Sequence, residues 1–135
     1  MIVADAALIA CFTVRNEQSE LADAVCEADA VWAAPLLWRS EFRDALAKYM
    51  QFAGLNLESA MLALRSAEEV MAGREYRVSS EQVLELAWRS KCPAFDCEYV
   101  ALAQDLDVPL VTPDRRILRA FPKTAVSLED FSRKK

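Results

Sequence analysis

The chain has 135 residues and a net charge of −5, from 16 basic and 21 acidic residues, and it contains no histidine. This length predicts a single domain spanning residues 1–135 that is large enough to bury its own core. The missing histidine excludes a Ser-His-Asp triad, a Cys-His pair and a histidine-based zinc site, and only two glycines argue against a Gly-rich phosphate loop.

The cysteines and the apolar runs bear on the cellular setting of the chain. The four cysteines form no C-x-x-C pair and lie in apolar helical stretches, which predicts buried free thiols and a reducing cytoplasm. No stretch approaches the roughly 18 uncharged apolar residues that a membrane-spanning helix needs. The sequence therefore predicts a cytoplasmic protein with no membrane partner.

The first part of the chain alternates between buried strands and helices. Residues 2–4 predict a short buried strand, and residues 6–14 predict a helix that begins directly after Asp5. A second helix is expected over residues 19–28 and a second strand over residues 31–33. Asp5 is thereby predicted to stand at the carboxyl end of the first strand.

The middle of the chain predicts a pair of long amphipathic helices over residues 36–53 and 57–72. Glu41 lies on the flank of the apolar face of the first of these helices. At 100° per residue it falls roughly 80° from the centre of that face, a direction that opens onto a cleft rather than core or bulk water. The pair interrupts a simple alternation of strands and helices.

The last part of the chain returns to alternation. A polar connection over residues 74–78 leads to a helix that Ser79 or Ser80 caps and that ends near residue 91. A helix is then expected from about Asp96 to Leu106, and residues 108–112 predict a buried strand. Thr112 can cap a short helix over residues 113–120 with Asp114 in its first turn, and residues 124–128 are a last strand candidate.

Four acids, Asp5, Glu41, Asp96 and Asp114, thus sit where a strand gives way to a helix or just inside a helix. Each of them alone has an ordinary explanation, as a helix cap, as an acid favoured by the helix dipole, or as a solvated helix residue. Asp5 and the turn that holds Thr112 and Asp114 are expected to share one edge of the sheet, because the carboxyl ends of strands in an open α/β sheet face one common edge. If Asp96 and Glu41 also reach that edge, three or four carboxylates converge there. Converging carboxylates repel one another unless a divalent cation offsets their charge, and oxygen ligands suit Mg²⁺ or Mn²⁺.

Several neighbours of these acids have two open interpretations. Thr112 could donate its hydroxyl to a site carboxylate or simply cap the following helix. Glu98 and Asp44 are possible outer ligands or solvated surface acids. The arginines that follow Asp114 could bind a phosphate backbone or face water; they are Arg115, Arg116 and Arg119.

These segments resemble the PIN-domain ribonucleases, particularly the VapC-like toxins of bacterial and archaeal toxin-antitoxin pairs. The resemblance covers nearly the whole chain. It is carried by four segments: Ile2-Val3-Ala4-Asp5-Ala6, Ser40-Glu41, Phe95-Asp96-Cys97-Glu98-Tyr99-Val100-Ala101-Leu102-Ala103 and Pro109-Leu110-Val111-Thr112-Pro113-Asp114-Arg115-Arg116.

The resemblance implies a three-layer α/β/α sandwich on a short, mostly parallel sheet. It further implies that Asp5, Glu41, Asp96 and Asp114 bind Mg²⁺ or Mn²⁺ for endonucleolytic cleavage of RNA, with Thr112 as a supporting polar residue. A homodimer and an antitoxin protein that blocks the active site are implied as partners. One other function class stays open beside it, a PIN-fold partner-binding module with weak metal binding. A phospho-acceptor receiver domain does not fit, because the first strand lacks an adjacent acidic pair and the helical pair over residues 36–72 interrupts the regular alternation of that fold.

Overall fold

A computed structural model describes residues 1–133, and the last two residues of the predicted domain, 134 and 135, lie outside the described residues. Strands and helices alternate along most of the chain, interrupted by the long helical pair. In chain order the elements of residues 1–133 are β1 (Ile2–Ala4), α1 (Ala6–Thr13), α2 (Ser19–Ala28), β2 (Trp32–Pro35), α3 (Trp38–Phe52), α4 (Leu57–Met71), β3 (Glu75–Tyr76), α5 (Ser80–Ser90), α6 (Ala94–Leu106), β4 (Leu110–Val111), α7 (Arg115–Ala120), β5 (Ala125–Val126) and α8 (Leu128–Arg133).

The central sheet has the strand order β3-β2-β1-β4-β5, and every strand pairing within residues 1–133 is parallel. The sequence predicts a mostly parallel sheet, and all of the described pairings are parallel. β1 and β2 are fully buried apolar runs, as strands covered by helices on both faces must be. Helix α6 packs on β1, β2 and β4, while α1 packs on β1 and α4 on β2. This is the predicted α/β/α arrangement.

The chain changes direction across the sheet at β1. From β1 it proceeds through β2 to β3 on one side, then returns to place β4 and β5 on the other side. The boundary between β1 and β4 is therefore a topological switch point, where α/β sheets open a crevice beyond the carboxyl ends of their strands. Asp5 directly follows β1, and Thr112 directly follows β4.

The sequence patterns missed two short elements, the strand β3 and the helix α8. The predicted polar connection over residues 74–78 contains β3, which extends the sheet through the pairs Ala34 with Glu75 and Pro35 with Tyr76. Its two residues are only half-buried, so they carry no apolar signal. The strand candidate over residues 124–128 is limited to β5, and Leu128 instead starts α8, which packs against α2.

Other boundaries moved by a few residues. β2 runs through Pro35, two residues beyond its predicted end, and α3 begins at Trp38 rather than at residue 36. The first helix ends at Thr13 and β4 is shorter than the predicted strand over residues 108–112. None of the helices in residues 1–133 has the length and hydrophobicity needed to cross a lipid bilayer.

Candidate active site

Asp5 is a buried carboxylate at the end of β1. It adopts the extended backbone of a helix N-cap, and its Oδ1 accepts a hydrogen bond of 2.9 Å from the backbone N–H of Leu8. Its Oδ2 accepts a hydrogen bond from the hydroxyl of Thr112. Burial raises the pKa of Asp5 to about 6 against these two hydrogen bonds, and the nearby carboxylates of Asp114 and Glu41 raise it further.

Thr112 and Asp114 form the turn between β4 and α7. Thr112 is fully buried, and its oxygen accepts a hydrogen bond of 3.0 Å from the backbone N–H of Asp114. Asp114, expected in the first turn of the helix, is instead its N-cap, because its Oδ1 accepts from the N–H groups of Arg116 at 2.9 Å and Ile117 at 3.3 Å. Of the two interpretations of Thr112, capping of the helix is therefore wrong, and the hydroxyl donates to a site carboxylate, that of Asp5.

Asp96 lies in the first turn of α6. The helix, expected from about residue 96, begins two residues earlier at Ala94, directly after Pro93, whose carbonyl accepts from the N–H of Cys97 at 3.2 Å. Asp96 is thus not needed as a cap. Its Oδ2 accepts a hydrogen bond of 2.9 Å from Nη2 of Arg116, which makes an ion pair. Burial raises the pKa of Asp96, while Arg116 opposes the shift.

Glu41 occupies the first turn of α3 and is half-buried, as its position on the flank of the apolar face predicts. The hydroxyl of Tyr99 donates a hydrogen bond of 2.6 Å to its Oε1. Burial raises the pKa of Glu41, and the carboxylates of Asp96 and Asp44 add to the rise. The three-residue spacing from Asp96 to Tyr99 places both side chains on one face of α6.

Tyr99 is the site residue that the sequence patterns missed. Its apolar neighbours on α6 predict a core position, and the side chain is indeed 2% exposed. Its hydroxyl nevertheless reaches the Glu41 carboxylate, and burial together with that carboxylate raises the pKa of Tyr99. The available signal was the shared helical face with Asp96, since a buried tyrosine needs a partner for its hydroxyl.

The four acids line one open cleft of about 500 Å³ beside the switch point of the sheet. We call this the acidic cleft. The other residues that line it are Ala6, Ala7, Leu37, Ser40, Asp44, Ala45, Lys48, Phe95, Tyr99 and Ile117.

The possible outer ligands differ in their positions. Asp44 lines the acidic cleft and forms a 3.0 Å ion pair with Lys48, at a site where both side chains are largely exposed. Glu98 is not among the cleft-lining residues, although burial and the charge of Glu41 raise its pKa. Arg116 reaches a site acid, whereas Arg115 and Arg119 are exposed on α7.

The chemistry of these donors fits a hard divalent cation. The carboxylates come from four separate elements, and three of them, Asp5, Glu41 and Asp96, have pKa values raised by burial and by neighbouring acids. Such a group is stabilised by positive charge. In the side-chain positions described for residues 1–133, no three acidic or cysteine side chains are close enough to hold one ion. Binding by all four acids therefore stays a prediction that requires side-chain movement.

No family model matches the sequence, and a comparison with curated proteins finds no match either. Solved structures do resemble the fold. The crystal structure of PAE2754 from Pyrobaculum aerophilum superposes with a TM-score of 0.78 at 19% identity, covering 98% of this chain and 94% of that one. The crystal structure of FitAcB from Neisseria gonorrhoeae gives a TM-score of 0.70 at 17% identity, covering 96% of this chain and 99% of that one. The chain therefore has the PIN-like α/β/α fold that its sequence predicts.

Proposed function

We propose that the protein is a metal-dependent endoribonuclease that hydrolyses RNA phosphodiester bonds. The observation that carries this proposal is the acidic cleft, where carboxylates from β1, α3, α6 and the β4–α7 turn line one opening beside the switch point of a parallel sheet. A cleft of this composition, without histidine, suits chemistry based on Mg²⁺ or Mn²⁺. The resemblance of the sequence to PIN-domain ribonucleases supplies RNA as the substrate class.

Each residue has a distinct role in this proposal. Asp5 and Asp96 are the central metal ligands, and the Thr112 hydroxyl holds Asp5 in place through its hydrogen bond. When bound, the cation supplies activation of a water molecule and stabilisation of charge on the scissile phosphate. Glu41, oriented by Tyr99, contributes an outer carboxylate, and Asp114 either orients the attacking water or completes a second ion site. Cleavage leaves a 3′-hydroxyl and a 5′-phosphate.

The biological setting follows from the same resemblance. VapC-like toxins form homodimers and act with an antitoxin in the cytoplasm, so we propose both kinds of partner for this chain. An apolar strip on α5 supports a protein partner. Leu84 and Trp88, one helical turn apart, are 65% and 76% exposed, which is unusual for side chains of this size.

A PIN-fold partner-binding module with weak metal binding is the second candidate. One observation favours it: among the side chains described for residues 1–133, no three of the acids are close enough to hold one ion, and each of the four has its own hydrogen-bond donor. Such a module would keep the fold and the partner surface without turning over RNA.

Cleavage of structured RNA in the presence of Mn²⁺ separates the two candidates. We expect the unsubstituted protein to cut the RNA and Asp5→Asn, Glu41→Gln and a chelator each to abolish most of the activity. Asn at position 5 can still accept the Leu8 N–H hydrogen bond, so the fold is retained. Equal background cleavage by the unsubstituted protein and by Asp5→Asn would rule out the nuclease.

A further inference from the structure

Arg116 connects two of the four acids in the acidic cleft. Its backbone N–H donates to Oδ1 of Asp114 at 2.9 Å, and its side chain donates from Nη2 to Oδ2 of Asp96 at 2.9 Å. The backbone contact is part of the cap of α7 and does not depend on the identity of the side chain. The side chain can therefore be replaced without disturbing the cap.

The partners of the other acids are different in kind. Asp5 accepts from a hydroxyl and a backbone N–H, and Glu41 accepts from a phenol hydroxyl. These donors are neutral, and a carboxylate that accepts one hydrogen bond per oxygen still has lone pairs for a cation. Within residues 1–133, the four acids contribute a single ion pair, which joins Asp96 to Arg116. Asp96 alone is thus held by a full positive charge.

The ion pair is asymmetric in exposure. The Asp96 side chain is 17% exposed, whereas the Arg116 side chain is 57% exposed. The guanidinium can therefore return to water at small cost, because an ion pair with an exposed partner contributes little net stability. The carboxylate cannot leave in the same way, since it is anchored in the first turn of α6.

We propose that Arg116 is a built-in counterion of Asp96 that competes with the divalent cation for this carboxylate. In the metal-free protein the guanidinium neutralises Asp96 and occupies its Oδ2. Metal binding requires the guanidinium to leave Asp96 and return to water, where it is free to pair with a phosphate group. The inference rests on the metal site of the proposed function and assigns a regulatory contact within it.

Mn²⁺ affinity without RNA tests the competition directly. We expect Arg116→Gln to bind Mn²⁺ about three- to fivefold more tightly than the unsubstituted protein at about 0.15 M salt, because the competing cation is gone. Arg115→Gln is the matched control. It removes the same charge from the neighbouring position of α7, where the side chain is exposed and makes no ion pair with the four acids among the described residues. Its affinity should change by less than about 1.5-fold, since screening weakens distant charges.

A second measurement follows Arg116 itself. In ¹⁵N spectra of the arginine side chains, assigned with Arg116→Gln, the Arg116 signal should shift saturably as diamagnetic Mg²⁺ is added, and the Arg115 signal should stay in place. An unchanged or weaker Mn²⁺ affinity of Arg116→Gln, an equal gain in Arg115→Gln, or a static Arg116 signal would each overturn the competition. These outcomes leave the nuclease proposal intact, whereas a failure of the unsubstituted protein to bind Mn²⁺ removes the metal site and this inference together.

Discussion

The surroundings of the buried Asp5 carboxylate disfavour its ionised form. Only 5% of the residue is exposed, and its pKa is raised from 3.8 to about 6. Hydrogen bonds from Thr112 and Leu8 favour the ionised form but do not overcome burial. The ionised carboxylate destabilises the metal-free fold, and a bound cation would offset this cost. Metal binding is thereby linked to the stability of the fold in the proposed function.

The first prediction concerns the effect of the ionised Asp5 carboxylate on the free energy of unfolding. Because the folded pKa of Asp5 lies above the unfolded value, the protonated form contributes stability below pH 3.8, and that stability is lost as the pH rises through about 6. Asp5→Asn should therefore raise the free energy of unfolding at pH 7 by about 1 to 3 kcal/mol in a chelator. It should also flatten the fall in stability between those pH values. Urea unfolding across this range measures both effects.

The exposed Asp105 on α6 provides the matched control for this substitution. Asp105→Asn removes the same charge from a solvated position and should leave the stability within about 0.5 kcal/mol of the unsubstituted protein. A loss of stability in Asp5→Asn at pH 7 would show that the ionised Asp5 carboxylate does not destabilise the metal-free fold.

The second prediction concerns the hydroxyl of Tyr99. Tyr99→Phe leaves Glu41 half-buried without its 2.6 Å donor, which should raise the Glu41 pKa further and lower the free energy of unfolding by about 1 to 2 kcal/mol at pH 7. Mn²⁺-dependent RNA cleavage should fall by about tenfold, because the carboxylate loses its orientation.

Tyr49→Phe is the control for the loss of a tyrosine hydroxyl. The Tyr49 hydroxyl accepts a 3.0 Å hydrogen bond from Asn16 Nδ2, and Tyr49 is not among the residues that line the acidic cleft. This variant should lose comparable stability and keep its cleavage rate. Equal cleavage by Tyr99→Phe and the unsubstituted protein would show that Tyr99 serves only the core.

At the scale of elements, the helix starts decide where the acids point. Apolar periodicity located α6 and α7 but not their first residues, because periodicity reports a buried face and not a terminus. α6 begins before Asp96, which frees that carboxylate from capping, whereas α7 begins after Asp114 and uses it as the cap. The two aspartates therefore exchange the positions that the sequence predicts, a helix start for Asp96 and a first-turn position for Asp114.

The third prediction separates the two duties of Asp114. Asp114→Asn keeps a good N-cap, so the stability should change by less than about 0.5 kcal/mol, while Mn²⁺-dependent cleavage should fall at least about tenfold. Asp114→Ala should lose the same activity and a further 0.5 to 2 kcal/mol, roughly, of stability. Thermal melts and cleavage rates of the two variants give the comparison. Full activity in Asp114→Asn would restrict this residue to capping.

Short elements escape sequence patterns for a physical reason as well. β3 contains two half-buried residues and forms because Ala34 N–H and Leu36 N–H donate to the carbonyls of Arg74 and Tyr76. The donors lie in β2 and directly after it, so β3 depends on its neighbour and not on the strand propensity of its own residues. A strand of this kind is visible only once its partner is placed.

At the scale of the whole molecule, metal binding and folding are linked. A cation that binds only the folded state stabilises it by about 2.7 kcal/mol at a concentration one hundred times its Kd. Our fourth prediction is that Mn²⁺ at this level raises the Tm of the chelator-treated protein by about 8 °C. Asp5→Asn should show little rise, so the two proteins approach each other in Tm as Mn²⁺ increases. Equal shifts in both would place the ion elsewhere.

The sequence by itself determined the α/β class, the buried strands β1 and β2 and the acids that line the cleft. These features depend on local apolar runs and on residue type, which a sequence displays directly. It also placed Glu41 beside the cleft, since a helix of known period fixes the direction of each side chain.

Only the tertiary structure decided which partner each acid takes. Thr112 reaches Asp5 across 107 positions of the chain, Tyr99 reaches Glu41 across 58, and Arg116 reaches Asp96 across 20. The contact between Thr112 and Asp5 arises because the strand order places β4 beside β1, and the hydrogen-bond pairing of the sheet, not local sequence, fixes that order. The raised pKa values follow for the same reason, because burial and the approach of like charges exist only in the folded chain.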